Sequence, residues 1–123
     1  MPTSTPPQAL AFKAKGQPGE NTTLVVVATD AALTKAQTRR LAIMAQDGLA
    51  RALRPVHTPL DGDIVFAAAT GTRALNDPIH GLSLLGALAA DVVARAIARG
   101  VYKARALPFA GALPSWRDRF SAR

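Results

Sequence analysis

The chain has 123 residues, which is enough for one small domain with a limited core. It contains no cysteine, and this excludes disulfides, thiolate metal sites and cysteine nucleophiles. The formal net charge is +7, but the cations are scattered and form no compact basic run interleaved with stacking aromatic residues, so the sequence favours solvated helix faces over a nucleic-acid surface.

Residues 1–21 are rich in Pro, Gly, Ser and Thr, a composition that is typical of an extended, flexible linker. The N-terminus lacks the basic and apolar regions of a signal peptide, and no apolar run in the chain approaches the roughly 20 residues that span a bilayer. We therefore expect a cytoplasmic protein without a membrane partner, in which a linker over 1–21 precedes an α/β domain over 22–123.

A strand and a helix are predicted first. Residues Thr23 to Thr29 are continuously β-branched or apolar, without alternation, which predicts a strand covered on both faces. Thr34 and Gln37 form a capping-box pattern, which predicts a helix from about Lys35 to about Leu53.

A second strand and a second helix follow. Asp63 to Thr70 read as a strand, and apolar residues at helical spacing predict a helix from about Leu82 to Arg99, with Gly100 at the C-terminal cap. The proline-containing tail is expected to wrap the surface. Because two strands do not make a stable sheet alone, the chain either oligomerises or completes a larger sheet.

Thr22 immediately precedes the first strand and is a candidate nucleophile. A threonine that follows a scissile bond can attack the preceding carbonyl, here that of Asn21, and become a new N-terminus whose amino group serves as the base. An unperturbed α-amino pKa of about 8 suits proton transfer near neutral pH. From the residues alone, Asn-Thr-Thr before a strand is more often a turn, so both interpretations stay open.

Asp61 and Asp63 flank Gly62 at the start of the second strand. Paired carboxylates can orient a hydroxyl, and the plainer alternative is a turn with two solvated acids. If the two strands are neighbours, these acids lie near Thr22. His57 would complete a zinc or manganese ligand set with them, but three ligands in one loop form a weak pattern. We expect neither a metal nor a cofactor.

Several motifs, taken in order, resemble a known family. Over about residues 19 to 115, the chain is similar to the C-terminal part of the L-aminopeptidase/D-esterase (DmpA-like) peptidase family, and particularly to its nylon-oligomer (6-aminohexanoate oligomer) hydrolase branch. The motifs are Gly19 to Ala31, Leu41-Ala42, Gly48-Leu49-Ala50-Arg51, Pro55-Val56-His57-Thr58, Asp61-Gly62-Asp63 and Leu113 to Asp118.

This resemblance implies an α+β fold, the strand-helix-strand-helix portion of an αββα sandwich of the N-terminal-nucleophile type. It also implies self-cleavage between Asn21 and Thr22, with Thr22 as the nucleophile and Asp61 and Asp63 as the carboxylates that orient its hydroxyl. The implied substrates are short peptides with a free amino terminus, D-amino-acid amides or esters, and linear ω-amino-acid oligomers.

Members of that family carry a longer upstream region that holds a lysine and an oxyanion-binding asparagine, whereas 21 residues precede Thr22 here. The resemblance thus implies an incomplete active site, to which an upstream α-chain region or a separate α subunit contributes within a hetero- or homo-oligomer. The alternative from another functional class is a non-catalytic basic module for binding or assembly.

Overall fold

The structure is a computed structural model that describes residues 22–120. The linker predicted over 1–21, including Asn21, lies outside the described residues. The elements are β1 (Leu24–Ala31), α1 (Lys35–Ala52), β2 (Ile64–Arg73), α2 (Pro78–Lys103) and α3 (Trp116–Phe120). The mixed α/β class and the strand-helix-strand-helix order are confirmed.

β1 and β2 are parallel neighbours in a two-stranded sheet. Their register runs from Leu24 opposite Ile64 to Thr29 opposite Ala69, and it is interrupted before Ala31, which pairs with Arg73. α1 supplies the long connection that parallel strands require. Because parallel strands begin at the same edge, the residues that precede β1 and β2 are brought together.

The core lies between the two long helices and one face of the sheet. α1 and α2 approach closely: a Cβ added at Gly48 would clash with the backbone carbonyl of Ala90, and one added at Gly86 would clash with the Met44 side chain. Small residues at these contacts therefore set the distance between the helices. The buried cluster consists of Leu41, Ala45, Leu49, Ala89 and Val93, and Val25, Val27, Val65 and Ala67 pack against it from the sheet.

The other face of the sheet is apolar and exposed in the described chain. Burial alternates along β1, and Leu24 and Val26 are exposed, as are Ile64 and Phe66 of β2. The helices of residues 22–120 cover one face alone, and cover on both faces of β1 stays a prediction, because its second part was expected from an oligomer or a larger sheet. Nothing in this part of the chain packs over the second face.

Local hydrogen bonds explain where the helices begin. Thr34 Oγ1 accepts from the Gln37 backbone N–H at 3.2 Å, and Gln37 Oε1 accepts from the Thr34 N–H at 2.8 Å, which confirms the capping box of α1. α2 starts four residues earlier than predicted, because Asp77 caps it and Pro78 occupies its first turn.

The C-terminal part of the chain differs more from the prediction. Gly100 is not the end of α2, which continues to Lys103. The tail contains α3, a helix that was not predicted. The Ser115 hydroxyl donates to Asp118 Oδ2 at 2.7 Å, and Ser115 Oγ accepts from the Asp118 N–H at 3.2 Å, so a side-chain to backbone cap supports this short turn.

By length and composition, α2 could cross a membrane, contrary to the expectation that no apolar run would be long enough. The core helix of a soluble protein can be equally long and apolar. Since α2 contributes Ala89, Ala90 and Val93 to the core, these two properties alone do not assign a membrane span.

Candidate active site

The starts of β1 and β2 place Thr22 against Gly62. The Ile64 N–H donates to the Thr23 carbonyl at 3.0 Å, which aligns the two residues before each strand. A Cβ built on Gly62 would lie 2.5 Å from Thr22 Oγ1. The absence of a side chain at Gly62 therefore makes room for the Thr22 hydroxyl at this edge of the sheet.

Asp63 anchors the backbone next to Thr22. Its side chain is 6% exposed, and its Oδ1 accepts a hydrogen bond from the Thr23 N–H at 2.9 Å. Its Oδ2 lies 3.5 Å from His57 Nδ1. A nearly buried carboxylate that binds a backbone donor fixes the chain more firmly than a solvated one would. Asp63 thus positions the residue that follows Thr22.

Asp61 closes a turn in the loop that precedes β2. Its Oδ2 accepts from the Thr58 N–H at 2.7 Å, and its own N–H donates to the Thr58 carbonyl at 3.0 Å. His57, just before this turn, has a positive φ of 57°, a conformation in which histidine is enriched among non-glycine residues. Asp61 therefore forms a turn through Oδ2, in agreement with the turn in the plainer interpretation.

A cleft of about 330 Å³ joins these residues, and Thr22, Asp61 and Asp63 all line it. The structure thus brings the three residues predicted for the site into one cavity that contains a hydroxyl and two carboxylates. Arg54, which follows α1 and was not considered from the sequence, adds a cation to the lining. The remaining lining residues are Thr23, Leu53 and Pro55.

The metal site considered for His57, Asp61 and Asp63 gains no support. Over residues 22–120, no group of three or more His, Asp or Glu side chains is arranged to hold a metal ion. Among residues 22–120, the one carboxylate within ion-pair distance of His57 is that of Asp63.

Comparison with known proteins assigns the family. The model of Peptidase family S58 matches residues 3–112, which is most of the chain. The chain belongs to Peptidase family S58. This membership confirms the resemblance to DmpA-like peptidases, whereas the assignment to the nylon-oligomer branch stays a prediction.

Mycobacterial proteins are among the relatives of this S58 chain. Uncharacterized aminopeptidases of Mycobacterium tuberculosis and Mycobacterium bovis are each 50% identical over 110 residues, which cover 81% of this chain and 31% of the relative. One of Mycobacterium leprae is 48% identical over 97 residues, covering 71% of this chain and 27% of the relative. The chain thus spans about a third of the length of the curated relatives it matches.

Proposed function

We propose that this chain is the β-chain part of a self-processing N-terminal-nucleophile amidohydrolase with aminopeptidase activity, and that Thr22 is its nucleophile. The observation that carries the proposal is the position of Thr22 Oγ1 against Gly62, in the same cleft as Asp61 and Asp63. Membership of a peptidase family and the aminopeptidase names of the relatives support the class of reaction.

Maturation would begin at the bond between Asn21 and Thr22. Thr22 Oγ1 attacks the Asn21 carbonyl carbon, the C–N bond breaks, and the Thr22 nitrogen takes up a proton as an ester forms. Water then hydrolyses the ester, which leaves a carboxylate on Asn21 and a free α-amino group on Thr22. Because Asp63 binds the next backbone N–H, the nucleophile stays at the edge of the sheet once the chain is cut.

In turnover, the freed amino group takes the proton of the Thr22 hydroxyl, and Oγ1 attacks the substrate's amide carbonyl. The amine product leaves with a proton, an acyl ester remains on Thr22, and water releases it. Asp63 holds the strand that carries the nucleophile, and Asp61 keeps the facing loop closed. Once the Thr22 amino group has accepted that proton, the two carboxylates in the same cleft stabilise its positive charge.

We further propose that an upstream α-chain region or a separate α subunit completes the site, because the chain spans about a third of its relatives. That part would supply the oxyanion donor, whose loss typically costs about 100-fold to 1,000-fold in rate. The substrates proposed are short peptides with a free amino terminus, D-amino-acid amides or esters, and linear ω-amino-acid oligomers. The reaction needs no cofactor, and we place it in the cytoplasm.

The proposal is tested by expressing the chain together with the upstream region of a family member and assaying release of an N-terminal residue from peptide amides. We expect activity in the wild type, retention with Thr22→Ser, which keeps a hydroxyl, and loss with Thr22→Ala. Full activity of Thr22→Ala would contradict the role of the nucleophile.

One observation favours a second candidate, a basic binding module. The rings of Tyr102 and Trp116 lie 5.7 Å apart, those of Trp116 and Phe120 lie 5.5 Å apart, and the Arg117 guanidinium lies 5.3 Å from the Tyr102 ring centroid. The fold therefore brings Tyr102 to the rings and cations of residues 116–120, and single-stranded nucleic-acid sites combine rings and cations in the same way. Salt-sensitive binding of single-stranded DNA that is lost with Trp116→Ala would support this candidate, and no binding at low salt would dismiss it.

A further inference from the structure

The Asp63 carboxylate faces one nitrogen with each of its oxygens. Oδ1 accepts from the Thr23 N–H at 2.9 Å, and Oδ2 lies 3.5 Å from His57 Nδ1. The Asp63 side chain is 6% exposed, so water screens these interactions little. At 3.5 Å the histidine contact is longer than an ordinary hydrogen bond. It therefore acts on the carboxylate mainly as an electrostatic attraction.

The backbone of His57 has an uncommon conformation, with a φ of 57°. A positive φ is rare for residues that carry a Cβ, although histidine and asparagine adopt it more often than most, and glycine adopts it freely. Residues held in such conformations cluster at functional sites. A side chain at a position whose backbone suits glycine therefore points to a use for the imidazole ring itself.

The contact between His57 and Asp63 joins the two ends of the loop that leads into β2. In the middle of this loop, Thr58 and Asp61 are linked by two hydrogen bonds of 2.7 and 3.0 Å. Gly62, which makes room for the candidate nucleophile, lies inside the loop and directly precedes Asp63. The loop is thus closed by hydrogen bonds in its middle and by a side-chain contact between its ends.

We propose that His57 is a positioning residue for Thr22. Its ring holds Asp63 Oδ2, so that Oδ1 stays on the Thr23 N–H and the start of β1 stays beside Gly62. Nδ1 carries a proton in the imidazolium and in one of the two neutral tautomers, and both forms attract the carboxylate. The effect on catalysis rests on the proposed function of Thr22, whereas the effect on Asp63 and Thr23 does not.

The second histidine of the chain provides an internal control. His80 Nδ1 lies 2.9 Å from Asp77 Oδ2, but these side chains are 88% and 59% exposed. This pair lies beyond the far end of β2, at the start of α2. A solvated contact of this kind contributes little. His80→Ala therefore removes a similar histidine–carboxylate contact that has no connection to the start of the strands.

Hydrogen exchange of the Thr23 N–H tests the contact without any reaction. In the full chain, His57→Gly removes the ring and suits the positive φ. It should speed exchange of this N–H by about 10-fold or more, because the acceptor is less firmly held. The Ala32 N–H, which donates to the Arg73 carbonyl at 2.7 Å near the far end of the strands, should keep its wild-type rate. His80→Ala should change neither rate.

Two outcomes of this exchange measurement would overturn the proposal. One is a Thr23 N–H that exchanges no faster in His57→Gly than in the wild type. The other is an equal acceleration at Thr23 and Ala32, because this would indicate a general loss of stability.

Asparagine at position 57 separates the side chain from the backbone. It also adopts a positive φ, and its amide nitrogen is attached to Cγ, as Nδ1 of histidine is. His57→Asn should therefore recover much of the Thr23 protection that His57→Gly loses. Exchange in His57→Asn as fast as in His57→Gly would contradict a donor role for the side chain at this position.

Kinetics in the complex with an upstream family region test the consequence for Thr22. His57→Gly should slow cleavage of the Asn21–Thr22 bond and lower kcat by about 10-fold to 100-fold with KM little changed, because a displaced nucleophile affects the chemical step more than binding. His57→Asn should recover most of this loss, and His80→Ala should match the wild type.

The kinetic outcomes separate this proposal from the function proposed for Thr22. A normal kcat in His57→Gly, in a complex that Thr22→Ala inactivates, would overturn the positioning role. Full activity of Thr22→Ala would instead contradict the nucleophile, and exchange of the Thr23 N–H would still decide whether His57 holds Asp63.

Discussion

The two ends of the β1–β2 pair carry similar residues and differ in how firmly they are held. At the start of the strands, Asp63 is nearly buried and binds the Thr23 backbone. At the far end, Asp30 and Arg73 form an ion pair at 3.3 Å with side chains 54% and 78% exposed. An exposed ion pair contributes about 0–1 kcal/mol to stability. An acid beside a strand therefore fixes the backbone only where the acid is buried and hydrogen-bonded to that backbone.

The glycines at the two ends repeat this contrast. Gly62 lies against the Thr22 hydroxyl, and an added Cβ would be 2.5 Å from Oγ1. Gly71 has a positive φ of 76°, and an added Cβ would meet nothing within 4 Å. Gly62 is therefore required for space at the candidate site, and Gly71 for the backbone conformation near the end of β2, where the register of the strand pair is interrupted.

The largest difference between the ends is expected for the hydroxyls. In the complex with an upstream region, Thr22→Ala should lower kcat/KM by about 10⁴-fold or more, because no nucleophile remains. Thr70→Ala, which removes an exposed hydroxyl near the far end, should leave kcat/KM unchanged. Equal losses in the two variants, measured by peptide-amide hydrolysis, would break the contrast.

Substitution of Gly62 should lower the reaction rate, whereas substitution of Gly71 should lower the stability of the fold. Gly62→Ala displaces the Thr22 hydroxyl, and a shift of about 1 Å in a reacting group costs about 100-fold in rate. Gly71→Ala should leave the rate unchanged and destabilise the fold by about 1 kcal/mol, because alanine is strained at positive φ. Kinetics and urea unfolding of both variants check this, and a Gly62→Ala variant of normal rate would contradict the geometry.

Removal of Asp63 and removal of Asp30 should lower the free energy of unfolding by different amounts. Asp63→Ala leaves the Thr23 N–H without its acceptor and should lower the free energy of unfolding by about 1–3 kcal/mol. Asp30→Ala removes an exposed pair and should cost at most about 0.5 kcal/mol. Urea unfolding of the full chain measures both, and the contrast fails if Asp30→Ala is the more damaging variant.

The smallest effect concerns Asp77, which follows β2 and caps α2. Hydrogen bonds from the backbone N–H and then the side chain of His80 hold the pKa of the Asp77 carboxyl below its ordinary value. A lowered folded-state pKa adds stability above the unfolded value of about 3.9, and that stability is lost as the pH falls through the folded pKa. The stability difference between wild type and Asp77→Asn should therefore shrink below about pH 4. A difference that grows in acid would contradict the cap.

Local signals in the sequence predicted α1 well, because Thr34 and Gln37 satisfy each other's backbone groups without help from distant residues. The start of α2 was missed because the apolar spacing that predicted it begins at Leu82, whereas the helix-start residues Asp77 and Pro78 lie earlier in the chain. Gly100 did not end α2, since a glycine inside a long helix costs only about 1 kcal/mol.

The candidate site could be predicted in part. The parallel pairing that joins Thr22 to Asp61 and Asp63 follows from the strand-helix-strand order, and the structure shows it. The sequence did not specify which segment covers the second sheet face, because a continuous apolar strand looks the same whether its cover comes from the same segment or from elsewhere. The role of Arg54 depends on how the loop before β2 folds, which no local pattern in the sequence encodes.

The intact mass of the chain after co-expression with an upstream family region tests the central proposal most directly. Self-processing predicts a fragment that begins at Thr22, loss of residues 1–21 from this chain, and no cleavage in Thr22→Ala. An active complex in which this chain keeps Asn21 joined to Thr22 would contradict the proposal that Thr22 becomes the N-terminal nucleophile.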